Sequence, residues 1–147
     1  MMPKMRPDFD DCQMIINYIC AKAGEPERKP LAVAVADLGG RLISLTLTPG
    51  MNSRGGLFAI KKAYTAAMFV RNTKDMAAHL NNVGADMRDF CDPNLSPLRG
   101  GAPIFHEDGD CIGAVGISGW TGEEDHELSL EASAMISKHN NKNREKE

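Results

Sequence analysis

RGGAPIFHEDGDCIGAVGISGWTGEED, the stretch from Arg99 to Asp125, decides how this chain folds. Gly100-Gly101 with Pro103 sets a bent, close-packed start. Ala102 to Phe105 is short and apolar. Asp108-Gly109 marks a tight turn, because glycine tolerates the positive φ that a hairpin needs. Cys111 to Ser118 reads as the returning strand. Gly113 and Gly116 interrupt it, and glycine inside a strand often marks the close approach of another backbone or of a ligand. Gly119 leaves the strand. Thr121 then opens a helix, with Glu124 three residues on as its capping-box partner. The unit is strand, hairpin, strand, helix, with a polar, Gly-rich corner from Ser118 to Asp125.

The rest of the chain supplies partners for that unit. Asp8 or Asp10 can cap a first helix, on which Cys12, Ile15, Ile16, Ile19, Cys20 and Ala23 form one apolar stripe. Gly24 stops it. Leu31 to Ala36 is continuously apolar, too short for an ordinary helix, and reads as a central strand buried on both faces. Gly39-Gly40 turns the chain, and Arg41 to Thr48 returns with Ile43, Leu45 and Leu47 on its greasier face. Met51 to Gly56 reads as a loop. Leu57 to Val70 is helical, and Ala59, Ala63, Ala66 and Ala67 let it lie close to a neighbour. Thr73 caps a further helix to Asn81, Gly84 breaks it, and Ala85 to Phe90 adds one more turn. Asn94 to Leu98 is expected to add a short edge strand. Leu128, Ala132, Met135 and Ile136 give the last helix its stripe, and the polar tail Lys138 to Glu147 should fray.

These elements predict an α+β fold: an antiparallel sheet of about five strands with helices packed on its faces. Segregated hairpins and helices argue against a doubly wound parallel sheet. At 147 residues the expectation is a single domain, its core at about 8–137. The net charge of −3 argues against nucleic acid or an anionic membrane as main partner, since both demand a basic face. No apolar run approaches a membrane span, and MMPKMRPDFDD lacks the apolar core of a secretory signal, so a cytosolic protein is expected. Cys12, Cys20, Cys91 and Cys111 form no C-x-x-C pair, which excludes zinc-ribbon, thioredoxin and covalent c-type haem readings.

The Gly-Gly-x-Pro-Ile segment, the Asp-Gly turn, IGAVGISG and downstream Asp125 together resemble the GlcG/HbpS family of small haem-binding-type proteins. The same domain occurs as the C-terminal part of PduO-type corrinoid adenosyltransferases. Lys62-Ala63-Tyr64-Thr65-Ala66 resembles the family's K-A-x-T-A helix, and Val33 to Leu42 its first hairpin. The likeness spans roughly Asp8 to Ile136. It implies a profilin-like layered fold, higher homo-oligomers and haem or another small molecule as ligand. The chain departs from the family before the K-A-x-T-A helix. Relatives often carry Ser and Asp there, and this chain reads Asn52-Ser53-Arg54-Gly55-Gly56-Leu57-Phe58.

Several chemistries can be weighed on residue types. There is no G-x-S-x-G elbow, and Ser118 has no assigned base. The helix start after Thr121 could receive an anion, but Glu123, Glu124 and Asp125 fill it with negative charge. Haem usually takes an axial His, Met, Cys or Tyr. The weak candidates are His79 and His126, with His106 beside an exposed turn and His139 in the tail. The expected ligand-binding residues are Lys62, Gly100, Gly101, Pro103, Ser118, Gly119 and Asp125. In that reading Lys62 offers charge to a carboxylate, and the glycines admit a ligand close to backbone. The bland alternative is a tightly packed sheet end or subunit contact. The functional expectation is a non-catalytic, small-ligand (haem-type) protein, a homo-oligomer larger than a dimer. It would be accessory to an enzyme complex of glycolate, diol or glycerol utilisation. An interaction subunit without a ligand and a small enzyme of unknown reaction are the alternatives.

Overall fold

A computed structural model describes residues 5–145, with side chains described as far as Ile136. The helices are α1 (Phe9–Ala23), α2 (Ser53–Phe69), α3 (Thr73–Asn82) and α4 (Gly122–Glu145). The strands are β1 (Ala32–Asp37), β2 (Leu42–Leu47), β3 (Gly101–Phe105) and β4 (Cys111–Ser118). A single 3-10 turn, Met87–Phe90, follows α3. All four strands pair antiparallel in the order β2-β1-β4-β3. Both expected hairpins are present, and their inner strands lie side by side at the centre.

The sheet has two unlike faces, and side-chain alternation sets them. Val33 and Val35 of β1 stand beside Ile117 and Val115 of β4, and these pack with Ile15, Ile19, Leu128, Ala132 and Ile136 of α1 and α4. On the other face, Ala32, Ala34 and Ala36 stand beside Ser118, Gly116 and Ala114. That face receives Ala59, Ala63, Ala66 and Ala67 of α2. A Cβ on Gly116 would sit 2.5 Å from the Ala63 nitrogen and collide with the Ala59 carbonyl oxygen. Glycine is therefore what lets α2 lie with its backbone on the sheet.

Four expectations need correction. Among the described residues the sheet has four strands, not about five. Asn94 to Leu98 forms no strand: the Asn94 N–H turns back to the Asp92 carboxylate, and the Ser96 N–H donates to Thr65 Oγ1 at 2.8 Å. α2 begins at Ser53 rather than Leu57, because Asn52 caps it by accepting from the Gly55 N–H at 2.8 Å. Gly55 and Gly56 are buried packing residues of its first turns. The cap of α3 is Asn72, not Thr73. Thr73 is fully buried and its Oγ1 accepts from the Gly101 N–H at 3.0 Å. The backbone of α4 is helical to Glu145.

Asp8 caps α1 in a reciprocal box with Asp11. Among the described residues no helix is long and apolar enough to cross a membrane.

Candidate functional site

Lys62 sits in the middle of α2, on the small-residue face, and is only 3% exposed. A buried ammonium needs acceptors. Lys62 Nζ donates to the Ile117 carbonyl at 2.7 Å and to Asp125 Oδ2 at 3.2 Å. Asp125 lies in the first turn of α4 and is 2% exposed. Its second oxygen, Oδ1, accepts from the Trp120 N–H at 3.1 Å. One ion pair thus ties α2, the end of β4 and the start of α4 together. Burial lowers the Lys62 pKa and raises that of Asp125, and their mutual attraction opposes both shifts.

Gly100 completes the closure, with φ at +125°. A Cβ there would lie 2.5 Å from the Ile117 carbonyl oxygen and 3.0 Å from both Asp125 Cβ and Lys62 Nζ. Gly101 packs equally tightly: a Cβ would stand 2.8 Å from Thr73 Cγ2 and collide with the Lys62 carbonyl. The close approach expected at the glycines is therefore made by the protein's own backbone and side chains.

Lys62, Gly100, Gly101 and Asp125 meet at one point. Ser118 is buried one residue beyond Ile117, at the end of the small-residue face. Gly119 has φ at +131° and packs elsewhere, with Leu31 Cα 3.2 Å from where its Cβ would be. Pro103 lies further along edge strand β3, where its missing N–H costs no ladder bond. Its carbonyl accepts from Ser133 Oγ of α4 at 2.5 Å. His79 is exposed in the last turn of α3. His126 is buried, and its Nδ1 has no hydrogen-bond partner among the described residues.

The corner's frame is as expected. Thr121 Oγ1 accepts from the Glu124 N–H at 3.2 Å, and Glu124 reaches back to the Thr121 hydroxyl at 2.9 Å. Outside it, Glu123 binds Lys74 and Arg99, and Glu124 binds Arg28. Arg28 also lies over the Trp120 ring, 4.2 Å from its centre. The first-turn acids of α4 are thereby paired. A shallow recess of about 270 Å³ opens beside Gly119, Trp120 and Arg28.

Sequence reasoning missed a wider groove of about 640 Å³ between the start of α1 and β2. It brings together Arg6, Phe9, Cys12, Arg41 and Ile43, among others. No local motif signals it, because its two walls come from separate elements.

Residues 8–134 match the family model described as "Haem degrading protein HbpS-like". The chain is 34% identical over 129 residues to Protein GlcG of Escherichia coli strain K12, covering 86% of this chain and 94% of that one. Its fold is similar to that of PduOC, solved as a haem complex, with a TM-score of 0.76, 23% identity and 88% and 94% of the two chains covered. It is also similar to a double mutant of Streptomyces reticuli HbpS, with a TM-score of 0.77, 20% identity and coverage of 92% and 90%. With the family model matched over most of its length, and GlcG matched over nearly all of both chains, this chain belongs to the HbpS-like family.

Proposed function

We propose that this chain is a non-catalytic cytosolic protein that binds haem or a related small ligand as a homo-oligomer larger than a dimer. Its place would be beside an enzyme complex of glycolate, diol or glycerol utilisation. The observation that carries the binding reading is the family match over residues 8–134, with PduOC, a haem complex, among its structural neighbours. Assembly is supported by edge strand β2, whose outer side has no strand beside it among the described residues and where Leu42, Ile43, Leu45 and Leu47 are each 37–47% exposed.

The expected site residues can be tested for fit. Around Lys62 the space is filled by Ile117, Asp125 and Gly100, so a macrocycle does not fit there as packed. A small carboxylate could take over Lys62 only by displacing Asp125. His126, with its unpartnered buried Nδ1, suits an axial role better than exposed His79.

One observation favours a second reading, in which haem is a substrate: the matched family's description names haem degradation. A single experiment separates the two. Protein titrated with haem should show a Soret band that saturates at a fixed stoichiometry and persists when reductant and air are added. Non-saturating adsorption overturns binding. Decay of the bound band, with release of iron, moves the assignment to the enzyme. Light scattering at micromolar concentration should give a mass above that of a dimer, and a monomer mass overturns the assembly.

A further inference from the structure

The small-residue face of the sheet is only partly roofed. α2 lies over β1 and β4, with Ala59 and Ala63 on Ala32, Ala34 and Ala36, and Ala66 and Ala67 on Ala114. Leu47, Leu45 and Leu42 of β2 stand beside Ala32, Ala34 and Ala36 on the same face. α2 reaches them at its first turns, where a Cβ on Gly56 would stand 2.9 Å from Leu47 Cδ2. The three leucines remain 38–47% exposed. Strand β2, LISLTL, carries neither charge nor proline, the usual defences of an open edge. The opposite edge is closed: Pro103 of β3 has no N–H, its carbonyl accepts from Ser133, and the Gly101 N–H goes to Thr73.

Beside this bed of leucines runs a ridge. Leu57, Lys61, Tyr64 and Met68 of α2 follow at i, i+4, i+7 and i+11 and form one stripe. A Cβ on Gly40, in the turn that leads into β2, would stand 2.7 Å from Tyr64 Cδ2 and 3.4 Å from Met68 Sδ. The stripe therefore lies along β2 from its end, at Gly56, back to its start. Leu57 and Met68 are 49% and 48% exposed. Lys61 is the stripe's single charge, on a stem long enough to reach water past a seam. Bed and ridge are also matched in length. The six residues of β2 span about 20 Å, and the helix from Leu57 to Met68 rises about 17 Å. Together the five exposed side chains offer on the order of 400 Å², close to the apolar share of one ~800 Å² side of a standard interface.

We propose that a second copy of this chain covers this face, the α2 ridge of each copy lying in the β2 leucine bed of the other. The proposal rests on the reading of the chain as a homo-oligomer, and it names one of that oligomer's contacts. A two-fold interface requires each surface to meet its complement on an identical partner. Ridge and bed stand side by side on one chain, so a single two-fold axis between them joins both pairs at once. A foreign partner would have to bring a ridge and a bed of its own. Because a two-fold contact closes on itself, an assembly larger than a dimer needs a further surface besides this one.

The test is the light-scattering mass of the full chain and of two variants at micromolar concentration. Leu45→Lys places a charge in the bed, and Leu57→Lys places one on the ridge. Each should bring the mass to half of the parent's or lower, with the far-ultraviolet circular dichroism unchanged. Leu45→Ser, which adds no charge, repeats the test if Leu45→Lys does not fold, and it should lower the mass in the same way. Variants with the mass of the parent overturn the joint and leave the assembly reading standing. A monomeric parent removes both. A mass that falls with Leu45→Lys but not with Leu57→Lys shows copies or other chains meeting at the strand edge alone, and overturns the reciprocal joint. The converse result, with the ridge sensitive and the bed not, overturns it as well.

Discussion

The two faces of the sheet solve the same packing problem in opposite ways. Toward α1 and α4 the strands present Val33, Val35, Val115 and Ile117, and side chains fill the space. Toward α2 they present Ala32, Ala34, Ala36, Ala114 and Gly116, and the helix backbone itself fills it. A side-chain interface can relax when one methyl is lost. A backbone interface cannot yield when one is added, because the obstructing atoms belong to the ladder of a helix. The small face is also where the buried ion pair sits. The difference teaches where the molecule tolerates change.

The largest effect is expected at the pair. Lys62→Met leaves Asp125 buried without its partner and should cost about 3–5 kcal/mol in denaturant melts. Asp125→Asn should cost a similar amount, with a pH signature. Burial already lowers the Lys62 pKa, and removing Asp125 removes the opposing pull. The unfolded chain then holds the Lys62 proton more tightly than the fold does. Stability must rise with pH across the window below lysine's ordinary value. The deficit of Asp125→Asn should therefore shrink as pH is raised toward that value, and a deficit flat in pH would mean that water reaches Lys62.

Next comes Gly116→Ala, which drives a methyl into the Ala59 carbonyl and should cost about 3 kcal/mol. A loss well below 1 kcal/mol would show that α2 can lift from the sheet. On the branched face, Ile104→Val trims one fully buried methyl and should cost only about 0.5–1.5 kcal/mol. If it costs more than Gly116→Ala, the contrast between the faces is broken. Thr121→Ala should cost about 1 kcal/mol through the cap of α4. A negligible change would place the helix start elsewhere.

Much of the frame was legible because it rests on periodicity and turn chemistry. The run Leu31 to Ala36, the Asp108-Gly109 turn and the Thr121–Glu124 box each announce one local structure. What was not legible depends on tertiary contact. Met51 to Gly56 reads as a loop, yet Gly55 and Gly56 lie in the first turns of α2, where a Cβ on Gly56 would stand 2.9 Å from Leu47 Cδ2. Asn72 and Thr73 are adjacent cap formers, and only the Gly101 N–H shows which one turned inward. Asn94 to Leu98 lost its strand to hydrogen bonds with Asp92 and Thr65. At the site, the convergence of Lys62 and Asp125 was anticipated from motif resemblance. Their burial was not, since a lysine beside an alanine stripe looks the same in sequence whether solvated or sealed in. The glycines were read as room for a ligand, and they serve close packing.

That the corner is a closed, mutually dependent ion pair can be tested most directly by a double-mutant cycle in denaturant melts on Lys62→Met, Asp125→Asn and their combination. Each single variant should be strongly destabilised. The double variant, with no buried charge left and the Trp120 N–H still able to donate to an amide oxygen, should recover most of the loss. Additive losses in the double variant would contradict it: the two charges would then act independently, and the corner would be open to solvent or to a ligand rather than sealed.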